Sequence, residues 1–279
     1  MNEDEYDRQL PAFLKFDWEN YNWKSNADYS VIFNLNGVLI ENRELNKDAW
    51  KWVLNQLRIQ TVTDKELNTL MSKGSETKHI MNDILRKCNY IGNTSPSEMI
   101  VNSWSKIKRE RYVKNLLDQK RDEMLGAGKL IDTLNSNHIK VGLYSMFEWK
   151  FVIKILHHIG YKQFFDAVVT PESVRPKYIV ENQMSYIGLL KEVKARLNKE
   201  QNKFFLLEDS IDIVDWASGH GMKCIGFGTE NYGELKRKGA ICVVDDHRNL
   251  LDIFKNSQKS DKVEEKLKEL DKLQIERML

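Results

Sequence analysis

From Gly126 onward, short apolar segments alternate with helical patterns, and this alternation constrains the fold more than any other feature of the chain. Each segment is almost continuously apolar, which is typical of strands that a parallel sheet buries on both faces. Together with one earlier segment, the predicted strands are 31-VIFNLNGVLI-40, 139-IKVGLYS-145, 164-FFDAVVTP-171, 203-KFFLLEDS-210, 222-MKCIGFG-228 and 240-AICVVDD-246. The pattern predicts an α/β fold built on a doubly wound parallel sheet.

Helical patterns lie between the predicted strands, and one long block carries nothing else. The predicted helices of the alternating part are Lys129–Asn135, Phe147–Ile159, Tyr178–Leu197 and Ile211–His220. In residues 44–122, apolar side chains such as Trp50, Val53 and Leu57 recur at three- and four-residue spacing. We interpret this block as an all-helical insertion between the first two strands. The predicted organisation is an extension at 1–27, an α/β core at 28–43 and 123–255, the insertion at 44–122, and a charged amphipathic helix at 256–279.

Both ends of the chain lie outside this predicted core. Residues 1–27 hold six aromatic side chains without a regular period: Tyr6, Phe13, Phe16, Trp18, Tyr21 and Trp23. The last twenty residues are highly charged and carry an apolar stripe at Val263, Leu267, Leu270 and Leu273. Each end is expected to lie on a protein surface, and the sequence leaves open whether that surface belongs to its own domain or to a partner.

The charge of the chain excludes a typical nucleic-acid-binding protein. Lys and Arg number 43 against 41 Asp and Glu, a formal net charge of +2. Nucleic-acid binding needs basic residues clustered on one face. The longest basic run, residues 106–111, lies in helix-patterned sequence and is predicted to form a solvated face.

Cysteine content and hydropathy bear on the compartment. Three scattered cysteines, Cys88, Cys224 and Cys242, are too few for a disulfide framework or a zinc site, which predicts an intracellular reducing compartment. No apolar run approaches the roughly 18 residues of a membrane span. The acidic start of the chain, residues 1–5, does not resemble a secretory or transit peptide, although import by other signals stays open.

Polar side chains follow several of the predicted strands, at the edge where open α/β sheets gather their chemistry. They are Asn34 and Asn36 after the first strand, Ser145 after the second, Arg175 to Lys177 after the third, and Glu208 with Asp209 after the fourth.

These segments resemble the motifs of the haloacid dehalogenase-like superfamily, nearest to its β-phosphoglucomutase-like branch with a helical cap. The stretch 33-FNLNGVLI-40 is similar to the family's F-D-x-D-G-V/T-L-x, and 207-LEDSIDIVDWASGHGMKCIGF-227 to its E-D-S-x-x-G-x-x-A-A-x-x-A-G-M-x-x-I-G. The stretches 125-LGAGKLIDTLNSNHIK-140 and 141-VGLYSMF-147 are similar to its lead-in and second motif. The resemblance covers about residues 28–250 and implies that the block 44–122 is the cap.

The resemblance implies an activity that two positions then put in question. In active members the first Asp is the nucleophile and the second is the general acid–base, while the first Asp, a backbone carbonyl at the second position and the last-motif acid hold Mg²⁺. Asn34 and Asn36 stand at those two positions. An amide is a poor nucleophile, has no carboxyl proton to exchange, and is a weaker ligand for a cation that prefers anionic oxygen. Glu208 and Asp209 remain as vestiges of the metal site.

Further departures favour a natural pseudoenzyme over an active enzyme disabled at two residues. Met146 follows Ser145 where the family has Asn, and Arg175-Pro176, next to Lys177, stands for its Lys-Pro. Ile213, Trp216 and His220 replace small residues of the last motif.

The sequence therefore supports three hypotheses. The first is a catalytically inactive structural or interaction subunit without a cofactor, bound to protein partners through residues 1–27 and 256–279. A mitochondrial multi-subunit complex is one setting for it, and the cytoplasm the other. The second is a Mg²⁺-dependent phosphatase or phosphomutase whose two Asp are replaced. The third is a metal-free phosphate sensor that uses Ser145 and Arg175.

Overall fold

Six parallel strands form one sheet, as the sequence pattern predicts. The structure is a computed structural model that describes residues 25, 27–40, 43–72, 77–90, 95–118, 124–160, 165–175, 186–197, 203–255 and 257–278. The strands are β1 (Ser30–Asn34), β2 (Lys140–Tyr144), β3 (Ala167–Val169), β4 (Phe204–Glu208), β5 (Lys223–Phe227) and β6 (Ala240–Val244). Their order across the sheet is β3-β2-β1-β4-β5-β6. The doubly wound fold class is confirmed.

The central strand, β1, lies between β2 and β4 in parallel register. Asn34 pairs with Tyr144 on one side, and Phe33 pairs with Leu207 on the other. All five residues of β1 are buried because helices cover both faces of the sheet. This double coverage explains why the strand reads as a continuous apolar run.

Helices on the two faces close two hydrophobic clusters against the sheet. One cluster joins Phe33 to Leu130 and Phe254, and the other joins Ile32 to Leu189 and Val214. The helices that follow β1 in the core are α5 (Ala127–Ser136), α6 (Trp149–His158), α7 (Tyr186–Leu197), α8 (Ile211–Gly219), α9 (Tyr232–Arg237) and α10 (Leu251–Lys255).

Among the described residues, the first four helices after β1 share a hydrophobic cluster of their own. They are α1 (Arg43–Gln56), α2 (Asp64–Ser72), α3 (Thr77–Lys87) and α4 (Glu98–Asp118). Trp50, Val53 and Ile84 lie in that cluster, apart from both sheet clusters. We propose that this block is the cap and that its predicted limits, 44 and 122, are the points where it joins the core.

The C-terminal helix, α11 (Ser260–Met278), packs on its own domain. Val263 and Leu267 are fully buried in the cluster that covers one face of the sheet. Asp271 is also buried and accepts from Lys236 Nζ at 2.7 Å. Leu273 and Ile275, one turn further on, are exposed. The exposed apolar side chains of this helix, among the residues described, therefore lie in its last turns. Residues 1–24, which hold the six aromatic side chains of the predicted extension 1–27, lie outside the described residues.

Element bounds differ from the sequence expectation in a few places. The third strand is limited to Ala167–Val169, because the chain then enters a 3₁₀ turn at Pro171–Ser173. The short helices α9 and α10 were not predicted, since they are too short to show a helical period. The start of the predicted helix Tyr178–Leu197 lies outside the described residues, and α7 accounts for its second half.

Among the described residues, no helix is long and apolar enough to cross a membrane.

Candidate functional site at the carboxyl edge of the sheet

The turn after β1 fits closely against the end of β4. Asn34 is the last residue of β1, and Gly37 turns the chain with a φ of 78°. The Gly37 N–H donates to the Ile40 carbonyl at 3.0 Å. A Cβ atom built on Gly37 would lie 1.9 Å from Asp209 Oδ2, so only glycine leaves room for that carboxyl group.

Glu208 ends β4 with a fully buried carboxyl group. Its Oε1 accepts from the backbone N–H groups of Asp209 and Ser210, both at 2.9 Å. Its Oε2 accepts from the hydroxyl of Tyr144, the last residue of β2. Hydrogen bonds therefore reach both oxygens of this carboxyl group from within the chain.

The amide of Asn34 joins the two acids. Its Nδ2 donates to Glu208 Oε1 at 3.0 Å and to Asp209 Oδ1 at 3.3 Å. An aspartate at this position would place a third carboxyl group there without a donor. The amide therefore supplies the protons that keep the acid pair satisfied, which a carboxylate cannot do.

Burial makes both acids hold their protons more tightly than usual. The pKa of Glu208 lies well above its ordinary value, chiefly because the group is buried and also because Asp209 stands beside it. Burial also raises the pKa of Asp209, against the effect of its hydrogen bonds and of Arg43.

The described residues do not fit a divalent cation. No group of three or more His, Cys, Asp or Glu side chains that could hold a metal ion forms in the part of the chain that the structure describes. Both oxygens of Glu208 accept hydrogen bonds, and Asp209 Oδ1 accepts from Asn34 Nδ2. Because Mg²⁺ dehydrates reluctantly and prefers free carboxylates, this hydrogen-bonded pair with an amide at position 34 does not supply the ligands that the resemblance implies.

Asn36, at the second motif position, has a different environment. Its Oδ1 is buried and has no hydrogen-bond partner among the described residues. The residue lines a cavity of about 1330 Å³ between the sheet edge and the helical block. Asn34, Asp209 and Ser210 line the same cavity from below. A buried amide oxygen without a partner is an acceptor that a donor placed beside it would satisfy.

On the opposite wall of the cavity, Lys108 of α4 is buried between two aromatic rings. Its Nζ lies 5.0 Å from the centre of the Trp50 ring and 5.4 Å from that of Tyr112, and it donates to Asn46 Oδ1. Burial lowers the pKa of Lys108 to about 7. Trp50 Nε1 has no hydrogen-bond partner within the described ranges.

Lys108 is the functional candidate that the sequence reading missed. The prediction that residues 106–111 form a solvated face is wrong at this residue, because Lys108 is only 4% exposed. The signal was present: Val101, Ser105, Lys108 and Tyr112 recur at four- and three-residue spacing, which is one face of a helix.

The two residues predicted to hold a phosphate lie elsewhere. Ser145 is fully buried, and its Oγ accepts from the Phe147 N–H at 3.1 Å. Arg175 donates from Nε to Glu192 Oε2 at 2.9 Å. Burial alone would raise the pKa of Glu192, but its hydrogen bonds with Arg175 and Arg196 outweigh burial and lower that pKa. Neither Ser145 nor Arg175 is among the described residues that line the cavity. Lys177 lies outside the described residues.

Comparison with known proteins agrees with this fold. Residues 31–227 match the profile of a family described as haloacid dehalogenase-like hydrolase. A β-phosphoglucomutase structure from Clostridium difficile is 26% identical, with a TM-score of 0.63 over 86% of this chain and 97% of that one.

Two further solved structures share the fold. A haloacid dehalogenase-type hydrolase, family IA, variant 3, from Entamoeba histolytica is 19% identical, with a TM-score of 0.66 over 82% of this chain and 100% of that one. An Asp-to-Asn variant of CbbY from Rhodobacter sphaeroides, in complex with xylulose 1,5-bisphosphate, is 20% identical, with a TM-score of 0.58 over 85% of this chain and 99% of that one.

Proposed function

The chain belongs to the haloacid dehalogenase-like hydrolase family, and from that premise we propose that it is a member that does not transfer phosphoryl groups and serves as a structural or interaction subunit. The observation that carries this proposal is the pair of hydrogen bonds from Asn34 Nδ2 to Glu208 and Asp209. Where catalysis would need a nucleophilic oxygen, this chain has the amide nitrogen of Asn34. That nitrogen already donates hydrogen bonds to Glu208 and Asp209.

The chemistry of the two asparagines supports the same proposal. The amide of Asn34 is neutral, and attack through it on phosphorus would not give the acyl-phosphate that a carboxylate forms. Asn36 cannot exchange a proton near neutral pH, so it cannot serve as general acid or base. Each loss alone would slow the reaction, and the two occur together.

A role in an assembly is supported by surfaces outside the catalytic edge. Leu273 is 53% exposed and Ile275 is 40% exposed at the end of α11, beyond the part of that helix that packs on the sheet. The six aromatic residues of segment 1–24 add potential anchors. Large apolar side chains of this kind supply much of the energy of protein interfaces.

Activity of the unaltered chain tests the catalytic half of the proposal. We expect no phosphate release from phosphate monoesters in Mg²⁺ above that of heat-denatured protein, and none from the Asn34→Asp/Asn36→Asp variant. Saturable, Mg²⁺-dependent release by the unaltered chain would overturn the proposal. Release by the variant alone would favour an enzyme in which asparagines replace two working aspartates.

Native co-purification followed by mass spectrometry tests the interaction half. We expect the chain to elute with stoichiometric protein partners. The Leu273→Ser/Ile275→Ser variant should lose a partner held by the end of α11, whereas Leu125→Ser, which changes an exposed leucine elsewhere, should retain it. Elution of the unaltered chain as a monomer from its native source would contradict a subunit role.

A second candidate function, binding of a phosphorylated small molecule without reaction, is supported by the cavity. Asn36, Trp50 and the buried Lys108 all line this space of about 1330 Å³. The Asp-to-Asn variant of CbbY, with a bisphosphate in its complex, shows that such a replacement is compatible with a bound phosphoester in that protein. In this form the sensor depends on Lys108 instead of Ser145 and Arg175.

The melting temperature tests this second candidate. A sugar phosphate added without divalent cations should raise it, because a ligand that binds only the folded state stabilises that state. Lys108→Met should abolish the rise, and the exposed Lys106→Met should not. The rise should also weaken above pH 7, where Lys108, with its pKa of about 7, loses its charge. No rise at any pH would exclude the binding role.

A further inference from the structure

Asn34 is only part of the reason why Glu208 has little to offer a cation. The backbone N–H groups of Asp209 and Ser210 both donate to Glu208 Oε1 at 2.9 Å. Asn34 Nδ2 donates to the same oxygen at 3.0 Å, but a carboxylate oxygen carries two lone pairs, so the two main-chain donors would satisfy Oε1 without it. They belong to the main chain and would stay in place with any side chain at position 34. A cation would therefore have to bind through the other oxygen, Oε2.

Tyr144 stands at that other oxygen. Its fully buried hydroxyl donates to Glu208 Oε2. Tyr144 pairs with Asn34 in the register of β1 and β2, and its carbonyl accepts from the Leu35 N–H at 3.1 Å. Its ring also meets Tyr186 edge-on, with centroids 6.4 Å apart. The sheet and this ring contact thus hold the hydroxyl against Glu208 whatever residue occupies position 34.

We propose that Tyr144 is a second barrier to cation binding that acts through Glu208 and is independent of Asn34. Replacing both asparagines by aspartate then leaves the site closed, because Oε1 is held by the main chain and Oε2 by Tyr144. This inference rests on the proposed function, since it explains how the acid pair became a hydrogen-bonded unit. Tyr144 is a positioning residue, because it touches the acid and no reacting atom.

Binding of Mn²⁺ to four forms of the full chain tests the inference. They are the unaltered chain, Asn34→Asp/Asn36→Asp, that double variant with Tyr144→Phe, and that double variant with Tyr29→Phe. Tyr29 is a matched control, because its hydroxyl is also buried and donates to the Ser257 carbonyl at 2.7 Å, away from the site. Free Mn²⁺ is measured by electron paramagnetic resonance, and circular dichroism checks that each form is folded.

We expect one saturable Mn²⁺ site in the Tyr144→Phe triple variant, with an affinity at least about tenfold above that of the double variant. The Tyr29→Phe triple variant should behave like the double variant. Equal Mn²⁺ affinity in the double and Tyr144→Phe triple variants would overturn the inference and leave the proposed function standing. Mn²⁺ binding by the unaltered chain would instead contradict the proposed function. Should the triple variant not fold, Asn34→Asp with and without Tyr144→Phe must show the same difference.

Discussion

At the scale of single residues, the chemistry of this edge is decided by which side chains donate and which accept. Asn34 and Tyr144 are donors placed against Glu208, and they occupy the oxygens that a cation would use. A carboxylate only accepts hydrogen bonds. Replacing Asn34 by aspartate therefore turns the attraction between a donor and Glu208 into repulsion between two acceptors. Position 34 thus carries a nitrogen donor, Nδ2, where the family motif has a carboxylate oxygen.

Replacing Asn34 by aspartate should destabilise the fold. At pH 7 without divalent cations, we expect Asn34→Asp to lower the free energy of unfolding by about 2 kcal/mol, because it removes two hydrogen bonds and buries an unpaired carboxyl group. The deficit should shrink at lower pH, where that carboxyl group is protonated. Urea unfolding measures it, with the exposed Asn55→Asp as a control for added charge. Equal stability of Asn34→Asp and the unaltered chain would mean that the hydrogen bonds contribute nothing.

His247 gives the fold a dependence on pH at a second buried position. The side chain is fully buried, its ring centroid lies 4.4 Å from that of Phe227, and neither ring nitrogen has a hydrogen-bond partner among the described residues. Burial lowers its pKa to about 4. The unfolded chain therefore binds a proton at this residue between about pH 6.5 and pH 4 that the folded chain does not.

The free energy of unfolding should consequently fall as the pH drops from about 6.5 to about 4. The variant His247→Phe should lack the contribution that His247 makes to this fall. We expect the variant to gain about 3 kcal/mol relative to the unaltered chain between pH 7 and pH 4, since each pKa unit corresponds to roughly 1.4 kcal/mol. Urea unfolding at several pH values gives the difference. The exposed His158→Phe is the control. A difference that does not vary with pH would show that His247 is not neutral in the fold.

At the scale of elements, the C-terminal helix belongs to the core over its first half. Its apolar stripe could pack either on its own domain or on a partner. Periodicity alone does not distinguish the two, because a helix that packs on either surface shows the same apolar spacing. The choice depends on the burial of Val263 and Leu267 in the hydrophobic cluster on one face of the sheet, which the local pattern does not show. Deletion of residues 260–279 would therefore unfold the protein and cannot serve as a test of partner binding.

Point substitutions along α11 should separate the two halves of the helix. Leu267→Ala should lower the free energy of unfolding by about 2–4 kcal/mol, because Leu267 is fully buried and its truncation leaves a cavity. Leu273→Ala, at an exposed position on the same helix, should change it by less than about 0.5 kcal/mol. Urea unfolding of the two variants measures both values. Equal losses would mean that the helix does not pack as the structure shows.

At the scale of the whole molecule, the sequence predicted the sheet better than it predicted the site. Continuous apolar runs are buried on both faces, so strands and fold class could be inferred from local pattern. The order of the motifs also brought Asn34, Glu208 and Asp209 to one edge. What could not be inferred was which side chains meet there: Tyr144 is 64 residues from Glu208 in the chain, and their contact depends on the register of the sheet.

The same limit applies to the cavity. Ser145 and Arg175 were predicted as phosphate ligands from their motif positions. In the structure, Ser145 Oγ accepts from the Phe147 N–H, and Arg175 Nε donates to Glu192. Lys108 was overlooked because charge suggested exposure, although its spacing with Tyr112 placed it on a buried face. Side-chain direction, and not sequence order, decides which residues reach the space between the sheet and the helical block.

The central claim is that hydrogen bonds, and not a cation, close the acid pair of Glu208 and Asp209. The most direct measurement is the unfolding temperature of the unaltered chain with and without Mg²⁺ at constant ionic strength. A cation that binds only the folded state raises that temperature. The account predicts no change beyond that seen with an equivalent ionic strength of Na⁺. A saturable rise that requires Mg²⁺, and that disappears in Asp209→Asn, would contradict it.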